Sequence, residues 1–266
     1  MGKPDEEEDE GGSWLSARGA LIVAAIFVFL VKTFVPFGDE LLYPMTLFAT
    51  WVHEMGHGLT GLVVGGSFDS LEIFWNGSGL AHGAHATGWP SALVSMGGLL
   101  GPPVVGAGIL AFARGPKRAS IVLWVLAGLM LVSVPIWVRS ITGFVVIPVV
   151  AALFGLLAYK GGETLRHFGA QLIGVMLGLD TLTGLDYLFT GEAFVGGEVR
   201  PSDVSNISTA LGGPYLLWGA LLAVVSLALV ALGVRIAWMS PIRWSDLRWP
   251  KRRKDVTSSA GGRSNL

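Results

Sequence analysis

Cysteine is absent from the 266 residues, and charge is scarce, at 14% of the chain against 52% hydrophobic residues. Without cysteine there is neither a disulfide nor a thiolate, so a protein-held metal would have to use histidine, aspartate or glutamate. With so little charge, a soluble body of this length could not cover its surface. Mean hydropathy is +0.62, which places the chain in a lipid bilayer as an all-α polytopic membrane protein. No nucleic-acid partner is expected. The acidic start, Pro-Asp-Glu-Glu-Glu-Asp-Glu at 4–10, has the wrong sign for the n-region of a signal peptide, so none is expected.

Apolar stretches run over residues 19–37, 41–65, 91–113, 119–138, 141–159, 168–189 and 209–238, about seven transmembrane helices. Between the fourth and fifth, only Val138-Arg139-Ser140 interrupts a run too long for one helix, so a tight turn is expected there. Trp14, Trp89, Trp137 and Trp238 fall at span ends, where interfacial aromatics sit. The organisation is an acidic tail (1–18), a transmembrane domain (19–238) and a basic tail (239–266) that can meet anionic lipid. All but Lys3, Arg18, Arg139 and Arg200 of the eighteen cations fall on one side of these spans. The positive-inside rule then puts the C-terminus in the cytoplasm of a plasma (inner) membrane and the N-terminus outside.

Within the second stretch lies His53-Glu54-Met55-Gly56-His57. On a helix, positions i and i+4 stand one above the other, so His53 and His57 can present imidazole nitrogens to one metal ion. Glu54 is then placed to take a proton from the attacking water. Three ionisable groups within five residues are costly in hydrocarbon unless they have a function. After this helix, Phe68 to Trp75 alternates, Asn76-Gly77 offers a type I′ turn, and Ser78 to His82 can return, so a small membrane-associated β-hairpin is expected. Its free edge could receive an extended substrate segment. His82 and His85 read as surface residues. The glycine-rich Gly97–Pro103 segment reads as a close helix contact.

Depth selects a third ligand. Counting from Glu40 at a rise of about 1.5 Å per residue, His53 and His57 lie roughly 20 and 25 Å in. Counting from Arg166 on the same side, Asp180 lies at roughly 21 Å and Asp186 at roughly 30 Å, near the opposite interface. Asp180 is therefore the expected ligand and Asp186 the alternative.

His53-Glu-Met-Gly-His57-Gly, the polar hairpin and the glycine-rich segment resemble the M50 metallopeptidases, the site-2-protease-like intramembrane zinc enzymes, in their M50B-like branch. Trp137-Val-Arg139-Ser and Gly174-Val-Met-Leu-Gly-Leu-Asp180 are similar to that branch too, so the resemblance covers roughly residues 41–215. It implies Zn2+ held by His53 and His57 with Glu54 catalytic, and depth supplies Asp180 as the third ligand. The implied activity is a metalloendopeptidase acting on membrane-protein substrates within or near their transmembrane segments. The alternative is a non-catalytic membrane scaffold or chaperone with a structural metal, which would have no need of Glu54.

Overall fold

The computed structural model describes residues 17–239, so the acidic and basic tails lie almost wholly outside the described residues. The described order is α1 (Ala17–Phe34), α2 (Gly38–Val63), β1 (Ser70–Ile73), β2 (Gly79–His82), α3 (Trp89–Phe112), α4 (Pro116–Ile136), α5 (Ile141–Lys160) and α6 (Glu163–Thr183). A 3-10 turn (Gly184–Phe189), β3 (Glu192–Val195), β4 (Glu198–Pro201), α7 (Asp203–Leu211) and α8 (Tyr215–Trp238) complete it. Each expected apolar stretch falls on a helix. Helices α3, α4, α5 and α8 are long and apolar enough to cross a membrane by length and composition. Helices α2 and α6 are less apolar because they carry His53, Glu54 and His57 in the one and Glu163, Arg166 and Asp180 in the other. On α5 the exposed residues Val145, Val149, Leu153 and Leu156 recur at helical spacing, the pattern of a face turned to lipid.

The turn expected at Arg139 is present. Ser140 caps α5 by accepting the Gly143 N–H, at 3.2 Å. The Arg139 guanidinium donates to the carbonyl of Ile136, at the end of α4, and to that of Val138 just beyond it. In the core, Phe48 stacks on Trp51 at 5.8 Å and meets Phe154 edge-on at 5.2 Å, joining α2 to α5. Trp51 Nε1 donates to Ser133 Oγ at 3.0 Å, which ties α2 to α4 and satisfies both buried polar atoms.

The first hairpin forms where the alternation places it, with Leu71 opposite Ala81 and Ile73 opposite Gly79. Its turn differs in type from the expected I′. Asn76 stays out of the left-handed region, Gly77 adopts φ +88°, and the Gly77 N–H donates to the Phe74 carbonyl. That is a turn over Trp75-Asn76 followed by a left-handed glycine, the next commonest hairpin connection. The Asn76 side chain favours it by accepting the Ser78 N–H and hydroxyl at 3.1 and 2.7 Å.

The outer edge of β1 is closed. The Leu71 N–H donates to Trp137 O (2.7 Å), Leu71 O accepts the Arg139 N–H (2.9 Å), and the Ile73 N–H donates to Ser140 Oγ (2.8 Å). The Phe68 and Trp137 rings stack at 4.8 Å above this seam. Because Leu71 and Ile73 turn their backbone groups away from β2, their partners Ala81 and Gly79 turn theirs to the far edge of β2. That edge faces the cleft beside α2.

A second hairpin, unforeseen in the sequence reading, closes through Gly196-Gly197, whose φ of +59° and +93° form the two-residue turn that twisted strands prefer. Strand alternation sends Ala193, Val195 and Arg200 to one half-buried face and exposes Phe194 and Val199 on the other. At its tip the Gly196 N–H donates to Ser78 Oγ at 3.3 Å, so the two hairpins meet at their turns.

Candidate metal centre

On α2 the i, i+4 spacing delivers what it predicts: His53 Nε2 and His57 Nε2 lie 3.0 Å apart. A carboxylate reaches them both, that of Asp203, the first residue of α7, whose Oδ2 is 3.2 Å from His53 Nε2 and 3.4 Å from His57 Nε2. Asp180, the ligand selected by depth, lines two cavities alongside His53, and the side chain of Asp186 lies outside those described. Nothing in a hydropathy count marks Asp203. It belongs to a nine-residue helix too short to span, delivered by the hairpin before it.

The position of Asp203 is fixed locally. Ser202 caps α7 by accepting the Ser205 N–H, donates its hydroxyl to Thr190 O at 2.6 Å and its N–H to Gly191 O at 3.0 Å. The Tyr187 hydroxyl donates to Asp203 Oδ2 at 3.3 Å, a partner of the kind that orients ligating carboxylates. Burial alone would raise the Asp203 carboxyl. The imidazoles, His57 foremost, outweigh it and hold the group well below the usual carboxylate range. Asp203 is therefore an anion aimed at two histidines.

These donors suit a metal ion. A tetrahedral ion with bonds of about 2.0–2.1 Å separates its ligand atoms by about 3.3 Å. The three atoms here stand 3.0, 3.2 and 3.4 Å apart. The His57 Nδ1 is 2.9 Å from the Val94 carbonyl, which can only accept, so that nitrogen carries a proton and Nε2 is left as the atom that would bind a metal. Glu54 is 5% exposed and groups with both histidines within 4.8 Å. Its carboxylate lies against Gly79 and the Ala81 N–H of β2.

Glycine makes this approach possible. A Cβ on Gly56 would stand 2.2 Å from the Gly97 carbonyl oxygen, so α2 and α3 touch backbone to backbone. A Cβ on Gly98 would stand 2.2 Å from His57 Nε2. Gly98→Ala should therefore displace the His57 ring, and the purified variant should lose most of its bound metal by elemental analysis. Gly108→Ala, on the same helix with nothing within 4 Å of the added carbon, should keep it.

Two cavities of about 370 and 430 Å3 meet at His53 and Glu54, between β2 and the inner face of the second hairpin. His85 lines the first, at the His57 end, while His82 is exposed and 3.9 Å from Glu72.

The sequence profile described as peptidase M50B-like matches residues 20–233, most of the chain, and includes all four residues of the centre. The protein belongs to the peptidase M50B-like family. No curated protein and no solved structure matches it significantly. Membership makes it a metallopeptidase relative, and its helices make it a multi-pass membrane protein. The M50B-like match covers α1 to most of α8, so the second hairpin and α7 lie inside the family's span.

Proposed function

We propose that this protein is a membrane-embedded zinc metallopeptidase that hydrolyses peptide bonds within or near transmembrane segments of membrane proteins. One observation carries the reading: His53, His57 and Asp203 converge to within 3.4 Å of one another, with the buried Glu54 carboxylate beside them at an open cleft. In this assignment Asp203 takes the place that depth matching gave Asp180. Bound zinc would supply Lewis acidity, polarising the scissile carbonyl. Glu54 takes the proton from the attacking water and passes it to the leaving amine. The far edge of β2 leaves the Gly79 backbone groups and the Ala81 carbonyl for an extended peptide running along α2 past Glu54, which itself takes the Ala81 N–H. A membrane helix would unwind locally to present such a strand. The charge distribution supports a cytoplasmic C-terminus, with the substrate side opposite.

A scaffold with a structural metal uses the same three ligands but leaves Glu54 without a task. A buried acid beside an open cleft is costly unless it is used, which favours the enzyme. The test is direct. Detergent-purified protein should carry about one zinc per chain, His53→Ala and His57→Ala should remove most of it, and only the native protein should cut reconstituted membrane segments. Full zinc in both variants, or cleavage that survives them, would sink the reading.

A further inference from the structure

Arg200 is a cation in the cleft that the chemistry proposed above does not use. Its strand register puts it opposite Ala193, on the face of the second hairpin that roofs the cavity containing His53, Glu54, His57 and Asp203. Among the described residues lining the two cavities that meet there, it is the sole lysine or arginine. Its Nε is buried and has no hydrogen-bond partner. Its Nη2 is 2.8 Å from Glu198 Oε2, but that carboxylate is 70% exposed at the rim, and an exposed pair of this kind holds an arginine weakly. Asp203 is satisfied by the two imidazoles and Tyr187, and no ion pair joins it to Arg200. The guanidinium is thus tethered at the rim, with its inner donor unmet.

A peptide lying along β2 turns alternate side chains toward this roof. Its walls there include Ala193 and Val195, small and apolar, with Arg200 the one cation over the first cavity and Glu192 an acid over the second. We propose that Arg200 is a specificity residue that binds a carboxylate of the peptide in the cleft, either an Asp or Glu side chain near the scissile bond or a free C-terminus. Its planar fork suits a carboxylate, which can accept two parallel hydrogen bonds from it. The inference rests on the peptidase reading and names the substrate class of that site.

The test uses the full-length protein in detergent with one zinc per chain. Labelled peptides share an apolar core and differ at single positions by Glu, Gln or Lys, each as a free acid and as a C-terminal amide. Cleavage is measured with the native catalytic residue, and binding by fluorescence anisotropy in a Glu54→Gln background. The native protein should favour one carboxylate-bearing series by about tenfold, equivalent to about 1.4 kcal/mol. Preference for internal Glu over Gln, whatever the terminus, assigns the side chain; preference for acid over amide assigns the C-terminus. Arg200→Glu should keep its zinc and reverse the preference toward Lys peptides, and Arg200→Lys should keep the sign while weakening it. An arginine that merely packs the hairpin would not reverse selectivity with its charge. Unchanged selectivity in Arg200→Glu overturns the inference, as does equal binding of all peptides by the native residue. Charge-dependent binding without any cleavage would uphold Arg200 and fail the peptidase reading alone.

Discussion

Glu54→Gln should keep its fold and its zinc and lose turnover by about 10²–10⁴-fold, the usual cost of removing a general base. The amide is nearly isosteric with the acid, so the contact with Gly79 and the Ala81 N–H survives in shape. What is lost is a group that can accept a proton from water. The variant should therefore hold an uncut membrane partner long enough for crosslinking to recover it, and that partner should appear shortened in cells carrying the native protein. Identical fragments in both strains would leave the scaffold as the better account.

Asp203→Ala should lose its metal and its activity together, while Asp180→Ala keeps the metal. Removing Asp203 deletes the one carboxylate among the three and leaves two imidazoles 3.0 Å apart with no third atom to close the set. Asp203→Asn separates charge from shape: its oxygen can still be placed, with the Tyr187 hydroxyl against it, but the anion is gone. Metal content by elemental analysis, read beside the melting temperature, decides the matter. A full complement in Asp203→Ala with loss in Asp180→Ala would restore the assignment made from depth.

Asp203, brought beside the histidines only by the fold, marks where sequence reasoning stops. His53, Glu54 and His57 were legible because their relation is local: five residues on one helix fix which side chains share a face. The first hairpin was legible for the same reason, from alternation bounded by Asn76-Gly77, though the turn type depended on a side-chain contact from Asn76 that composition does not reveal. The glycines at 97 and 98 signalled a close contact but not its target, the His57 ring, which only the packing of α3 on α2 discloses. Depth arithmetic assumes that ligands come from straight spans. Here α6 gives way after Thr183 to a 3-10 turn, and the chain returns through a hairpin to bring Asp203 in from a short helix. The local signal for that hairpin was present, since Ala193-Phe-Val and Glu198-Val-Arg flank Gly196-Gly197. Span counting hides it by assigning residues 190–208 to a polar connection.

The donors of this centre are separated by 150 residues of chain. During synthesis, the two histidines and Glu54 emerge and enter the membrane with α2, while the carboxylate that completes the set is still untranslated. Every intermediate of insertion up to the end of the second hairpin therefore carries the His53-Glu54-His57 group without Asp203. A peptidase whose substrates are other inserting helices would be silent toward its neighbours, and toward its own later segments, until α7 docks. On the peptidase reading proposed above, the separation would act as a timing device written into the order of the sequence.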